Sequence, residues 1–212
     1  MRCRLFLVFI LAQYLAVAVI IDQIAIVVGN SIIKDSDIRR DIGVTDFLNK
    51  EPLNFSNAAR KEAAKRLMDQ LFIRHEVNLG GYSRATPQDA EQELDKLKHD
   101  RYRTAGAFEA ALHRYDLTDL ELRTQFQWQL TVLRFIDARF RPAVLVTDAD
   151  VENYYRQHSA ALRDRFPGKS PDELREEARN ILTGQKVNQQ FFSWLDEQRK
   201  NTKIRYLEES LR

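Results

Sequence analysis

The residue types that most often carry chemistry are few in this chain of 212 residues, and they are widely separated. No two of the four histidines form the H-E-x-x-H or H-x-x-x-H spacing, which places two metal ligands on one face of a helix. These histidines are His75, His99, His113 and His158. Cys3 is the only cysteine, and a single thiol forms neither an internal disulfide nor a thiolate cluster. The sequence therefore predicts no metal site and no cofactor.

One short motif resembles part of a nucleotide-binding loop. Gly168-Lys169-Ser170 has the order that ends a phosphate-binding loop, but Arg163 occupies the position of the required first glycine. Pro171 also lacks the backbone N–H that would contact phosphate at the helix start. The sequence contains no G-x-S-x-G motif for a serine nucleophile. These patterns predict neither nucleotide binding nor serine catalysis.

Two pairs of carboxylates have a spacing that could serve acid–base chemistry, but their positions favour a structural role. Asp35 with Asp37, and Asp148 with Asp150, each lie at a predicted helix start. Carboxylates at such positions accept hydrogen bonds from free backbone N–H groups and interact favourably with the helix dipole. We therefore predict that both pairs cap helices and that the protein is not an enzyme.

The first residues have the three parts of a secretory signal peptide. Arg2 and Arg4 precede the apolar run Leu5–Leu11, and Ala16-Val17-Ala18 matches an A-x-A cleavage site. The pattern predicts a signal peptide over residues 1–18 and export to the periplasm, with no stable membrane insertion after cleavage. The alternative is an uncleaved anchor in the inner membrane, since the apolar stretch continues close to the length that spans a bilayer.

The distribution of charge argues against a nucleic-acid partner. The formal net charge is +2, and Arg2 and Arg4 of the predicted signal peptide account for both charges. In the remainder, acidic and basic residues are mixed along the predicted helices, whereas nucleic-acid binding normally requires a basic face or stripe.

Helix-start signals follow one another along most of the chain. Each combines a capping residue with apolar residues at helical spacing, and several include a capping box or a proline in the first turn. The predicted starts lie at Asp35 or Ser36, Ser56 or Asn57, Thr86, Thr104, Thr118, Thr147 and Ser170. We expect the last two of these helices to end near Leu162 and Arg199.

Strand signals occur at both ends of the predicted mature chain. Two apolar runs surround Gly29-Asn30, a turn signal typical of a β-hairpin. Lys203–Glu208 alternates charged and apolar residues with the period of a half-buried strand. Because an isolated hairpin is only marginally stable, we expect this strand to pair with it. The predicted fold is mainly α, a multi-helix core with a small antiparallel sheet formed by the N-terminal hairpin and the C-terminal strand.

Aromatic residues on two predicted helices allow two interpretations. Apolar side chains fall on more than one face of each helix, which indicates either burial on several sides or an exposed apolar surface. In the second case, some of them would line a groove for apolar, aromatic-rich polypeptide segments. The candidate binding residues are Phe126, Trp128, Phe135, Phe191, Phe192 and Trp194.

Several segments together resemble one protein family. The hairpin Ile24–Ile33 with Asp37 resembles the start of the SurA-type chaperone domain. The run Ala107–Leu112, followed by Leu117–Arg123, is similar to later helices of the same domain. Val146–Tyr155 is similar to its exit segment. The resemblance covers nearly all of the chain after the signal peptide.

The resemblance also implies a domain organisation. In this family the exit segment normally leads into one or two parvulin-type peptidyl-prolyl isomerase domains. Here the interval between Tyr155 and Ser170 is far too short for such a domain. We therefore expect a SurA N-terminal-like chaperone domain over residues 19–162. Residues 163–212 then form a C-terminal helix and strand that pack back on it, and the isomerase domain is absent.

The function implied by the resemblance is that of a periplasmic, ATP-independent holdase without a cofactor. Its expected partners are unfolded exported polypeptides, including precursors of outer-membrane β-barrels. One alternative is a peptidyl-prolyl cis-trans isomerase or an accessory subunit of one. Another is a protein-assembly scaffold module whose aromatic faces bind one folded partner.

Overall fold

The computed structural model describes residues 22–212, and the predicted signal peptide over residues 1–18 lies outside the described residues. The described part contains seven α-helices and three β-strands, which confirms the predicted mainly α fold with one small sheet. In chain order the elements are β1 (Ile24–Val28), β2 (Ser31–Lys34), α1 (Asp35–Asn49), α2 (Asn57–Leu79), α3 (Pro87–Arg101), α4 (Ala105–Arg114), α5 (Asp119–Phe140), α6 (Asp148–Arg165), α7 (Pro171–Asn201) and β3 (Ile204–Tyr206). Short 3-10 turns occupy Arg141–Ala143 and Glu209–Leu211. No helix within this described part combines the length and the apolar character that crossing a bilayer requires.

The predicted capping residues do begin the helices. Six hydroxyl side chains each accept a hydrogen bond from the backbone N–H three residues further on, and each such cap stabilises its helix by about 1 kcal/mol. These residues are Ser56, Thr86, Thr104, Thr118, Thr147 and Ser170. The predicted end of α6 near Leu162 is one turn short, since the helix continues to Arg165. Helix α7 ends at Asn201, close to the predicted Arg199.

The sheet brings the two ends of the described chain together. Its strand order is β2–β1–β3 and both pairs are antiparallel, with Val27 opposite Ile32 in β2 and Arg205 in β3. Gly29 has a φ of +56°, the left-handed conformation that suits a tight hairpin turn. The predicted pairing of the C-terminal strand with the hairpin is therefore confirmed.

Residues 202–212 form what we call the C-terminal clasp, which is fixed by more than strand pairing. Leu211 is buried in the main core. Glu208 accepts hydrogen bonds of 2.6 and 2.8 Å from Arg60 on α2, and Arg60 also donates to Asp35 on α1 at 2.7 Å. Partial burial opposes the charge of Asp35, but hydrogen bonds from arginine outweigh this effect and hold the pKa of Asp35 below its ordinary value. One arginine thus connects α1, α2 and the clasp.

The buried apolar residues form three clusters. The main core lies under the sheet and joins the start of α1, α2, the end of α5 and the second half of α7. A second cluster joins the end of α1, α3, α4 and the start of α5. The third lies between α6 and the first half of α7, which form a helical hairpin. Helix α7 therefore contributes to two clusters along its length.

Gly184 lies between the two apolar stretches of α7, and its replacement gives a first prediction. A Cβ built there meets no atom within 4 Å, so packing does not require glycine. Because glycine in a helix interior costs about 1 kcal/mol relative to alanine, Gly184→Ala is expected to raise the free energy of unfolding by about that amount. Thermal melting should then shift upward by about 2–4 °C.

Gly43 on α1 provides the matched control for this substitution. A Cβ there would lie 3.0 Å from the carbonyl oxygen of Tyr115, so Gly43→Ala should lower the melting temperature. A lower melting temperature for Gly184→Ala as well would show that α7 requires a conformation at this position that alanine does not tolerate.

Candidate functional site

The residue types considered first for chemistry lie apart on the surface. The four histidines are all exposed, and they are distributed over α2, α3, α4 and α6. Within residues 22–212, no group of three or more His, Cys, Asp or Glu side chains comes together in a way that could hold a metal ion.

The two carboxylate pairs contain one capping carboxylate each. Asp37 accepts a hydrogen bond from the backbone N–H of Lys34 at 3.0 Å, and Asp150 accepts one from Thr147 at 3.1 Å. These bonds lower the pKa of Asp150 below its ordinary value, with backbone donation from Thr147 as the main cause. Their partners Asp35 and Asp148 instead form ion pairs with arginine side chains. The predicted capping role is confirmed for Asp37 and Asp150, whereas Asp35 and Asp148 lie in the first turns of α1 and α6 without capping them.

An open groove of about 530 Å³ lies between the β2–α1 corner, α2 and the start of α5. We call it the α2–α5 groove. Its apolar lining comes from all of these elements and consists of Ile32, Ile33, Val44, Leu67, Leu71 and Leu120. Leu120 is 71% exposed and Ile32 is 44% exposed, although both are large apolar residues. Grouped apolar exposure of this kind is typical of an interaction surface.

The charged side chains along the groove are mostly paired. Arg40 on α1 donates to Glu121 on α5 at 2.7 Å, across the groove. Arg66 donates two hydrogen bonds to Asp41, at 2.9 and 2.5 Å. Burial nevertheless raises the pKa of Asp41 above its ordinary value. These ion pairs therefore connect α1 to α2 and α5 around the groove, whereas the exposed apolar residues are available for contact with a ligand.

A second section continues from the groove at Arg74 and Thr124, which line both. We call this section the arginine cleft. It has a volume of about 340 Å³ and is lined by Arg74, Val77, Asn78, Arg84, Thr124, Gln127, Trp128 and Thr131. The guanidinium carbon of Arg74 lies 4.0 Å from the centroid of the Trp128 ring. The cleft thus carries two cationic side chains and no carboxylate among its lining residues.

The structure separates the six aromatic residues that the sequence proposed for binding. Phe135, Phe191 and Trp194 pack together in the main core. The ring centroid of Trp194 lies 5.7 Å from that of Phe135 and 6.1 Å from that of Phe191. Trp128 is half-buried and lines the arginine cleft. Phe126 is half-buried beside the second cluster.

Phe192, the sixth of these residues, is 59% exposed on α7. The six residues therefore do not line one common groove. Of these, only Trp128 lines the α2–α5 groove or the arginine cleft. The interpretation as core packing describes Phe135, Phe191 and Trp194.

Sequence reasoning did not identify the apolar residues of the groove as a site. Leu67 and Leu71 recur at helical spacing, which indicates an apolar stripe on α2 but not which part of it stays uncovered. One sequence feature could have identified Leu120 as a surface residue. It is a large apolar residue in the first turn of α5 between two acidic residues, and it lies on a different face of the helix from the buried Leu122.

Comparison with known proteins gives no family for this chain: no protein-family model matches it, and no curated protein matches it. The fold and the groove define a class in structural terms, a mainly α protein with a clasped three-stranded sheet and an open apolar groove. Its function is therefore proposed from the chemistry of the groove together with the sequence resemblance.

Proposed function

We propose that this protein is an ATP-independent holdase that binds unfolded polypeptide segments in the α2–α5 groove. The observation that carries the proposal is the exposure of Leu120 and Ile32 beside Leu67 and Leu71 in an open groove. The sequence resemblance to SurA-type chaperones supports the same function. The predicted signal peptide supports its location in the periplasm.

The size of the groove suits weak and reversible binding. Burial of about 200 Å² of apolar surface on binding yields about 5 kcal/mol at about 25 cal/mol per Å². The loss of chain and side-chain freedom on binding removes much of that gain. A client is then released by dissociation alone, which agrees with a chaperone that hydrolyses no nucleotide.

The expected clients include precursors of outer-membrane β-barrels. Strands of these proteins alternate apolar and polar residues, so that one face of an extended segment is apolar. Such a segment can place that face on the apolar residues of the groove and leave its polar face in water. Before insertion, the same segments are prone to aggregate, which creates the need for a holdase.

Leu120→Ser tests the assignment of the groove. Loss of one leucine contact of about 1.5 kcal/mol is expected to weaken client binding about tenfold. The measurement is light scattering from two unrelated unfolded proteins as they aggregate, titrated with the chaperone. The exposed position of Leu120 predicts that folding is unchanged, which circular dichroism checks.

Leu133→Ser is the matched control for this experiment. Leu133 lies on the same helix and is 62% exposed, but it does not line the groove. Its replacement is expected to leave the suppression of aggregation unchanged. Equal effects of the two substitutions would place the binding surface elsewhere. Failure of the wild-type protein to suppress aggregation of either client would overturn the holdase proposal.

The two alternative functions give different results in related assays. An isomerase, or an accessory subunit of one, would accelerate proline-limited refolding when added in catalytic amounts. A scaffold module would bind one folded partner and would not suppress aggregation of unrelated proteins. We expect neither of these results.

A further inference from the structure

We propose that the arginine cleft binds a carboxylate of the polypeptide segment whose apolar part occupies the α2–α5 groove. This inference rests on the proposed function, because it assigns chemistry to the continuation of the same groove. It specifies the preferred ligand as an apolar segment that carries an acidic side chain, because an extended segment runs along both sections and the cleft contributes only positive charge.

The two sections form one continuous path along α2. Arg74 and Thr124 line both sections, and the lining residues on α2 extend from Leu67 to Asn78. At a rise of 1.5 Å per residue, this part of the helix is about 17 Å long. An extended segment covers that length with about five residues. A single short segment can therefore contact the apolar residues and the arginines at once.

The charge of the arginine cleft is uncompensated by its own lining. Within residues 22–212, Arg74 forms no ion pair, and Arg84 donates to the side-chain oxygen of Asn78 but to no carboxylate. Two nearby carboxylates are already paired, since Glu76 on α2 binds Arg139 and Asp89 on α3 binds Arg134. An incoming carboxylate would thus not have to displace an internal carboxylate from Arg74 or Arg84.

Trp128 prepares Arg74 for this role. The guanidinium carbon of Arg74 lies 4.0 Å from the centroid of the Trp128 ring, a cation–π contact. This contact holds the side chain without a carboxylate, and a planar guanidinium fork can bind an incoming carboxylate with two parallel hydrogen bonds.

Three peptides with the same alternating apolar sequence test the proposal. The first has a free C-terminal carboxylate and no acidic side chain, the second is amidated and contains one glutamate, and the third is amidated and contains no acid. Binding is followed by the change in tryptophan fluorescence, with peptides that contain no tryptophan. This change reports on Trp128, because Trp194, the only other tryptophan, is buried in the core and should give a constant signal. The second peptide should bind about tenfold more tightly than the third. A preference for the first peptide alone would contradict the acidic side chain and place a C-terminal carboxylate in the cleft.

Substitutions assign the preference to the cleft. Arg74→Gln is expected to abolish the tenfold preference and to leave the affinity for the third peptide within about twofold, because the apolar contacts persist. Arg74→Lys should restore part of the preference, since it keeps the charge but loses the planar fork. Arg114→Gln, on the exposed surface of α4, is the control and should change nothing. Increased salt should reduce the preference in the wild-type protein.

The outcomes separate this proposal from the holdase function. Equal binding of all three peptides to the wild-type protein would overturn the carboxylate site and leave the apolar groove in place. A preference that survives in the Arg74→Gln, Arg84→Gln double variant would place the carboxylate elsewhere. Binding of none of the peptides would overturn both proposals.

Discussion

Removal of residues 202–212 is expected to lower the free energy of unfolding by about 5 kcal/mol. The deletion removes the partner strand of β1 and the buried side chain of Leu211. Loss of a buried leucine alone costs about 2–5 kcal/mol. It also removes Glu208 and leaves the partly buried Arg60 with one of its two carboxylate partners. Because the free energy of unfolding of a small domain is only about 5–15 kcal/mol, the truncated protein should be close to unfolding.

Thermal and urea denaturation measure this effect directly. Deletion of Arg212 alone is the control, because this residue is exposed and its loss leaves β3 and Leu211 in place. We expect the control to have the melting temperature of the full-length protein, and the 202–212 deletion to have a melting temperature at least about 10 °C lower. Unchanged melting of the larger deletion would contradict the structural role assigned to the clasp.

Phe135→Ala is expected to destabilise the protein by about 4 kcal/mol, the usual cost of deleting a fully buried phenylalanine. Phe135 is 0% exposed. Its ring contacts those of Tyr82, Phe140 and Trp194 at centroid distances of 5.0, 5.8 and 5.7 Å. Because α5 and α7 both reach this point, the cavity left by the substitution would lie between two helices.

Phe192→Ala is the matched control for this substitution. The same side chain is deleted, but Phe192 is exposed on α7 and should cost no more than about 0.5 kcal/mol. Denaturation curves of the two variants therefore distinguish a core aromatic from a surface aromatic. Comparable losses of stability would show that Phe192 is packed against other residues in solution.

The helices could be predicted from the sequence because their signals are local. Thr118 and Glu121 satisfy each other's backbone donors within one turn, and the same holds for Ser170 and Glu173. Prediction of the sheet required one inference about residues far apart in sequence, the pairing of Lys203–Glu208 with the hairpin. This inference was correct because the described chain offers the hairpin no other partner strand.

The groove could not be predicted in the same way, because it depends on the distance between helices that are far apart in sequence. Phe135 and Trp128 are both large apolar residues of α5, and the sequence does not distinguish them. Packing against α7 buries Phe135, whereas Trp128 lines the arginine cleft. Leu71 and Leu120 become neighbours in a groove only through the placement of α2 and α5 around the end of β2. The uncompensated charge of Arg74 likewise follows from which carboxylates the other arginines bind.

The position of β3 has a consequence for the order of folding. Because α1 to α7 all lie between β2 and β3 in the chain, ribosomes make these seven helices before the strand that covers the free edge of β1. Contacts of such long sequence separation form slowly, because a large loop must close first. The helices, whose caps are local, can form while the hairpin still waits. Closure of the sheet is therefore expected to be a late folding event, and it occurs only in chains in which β3 has been made.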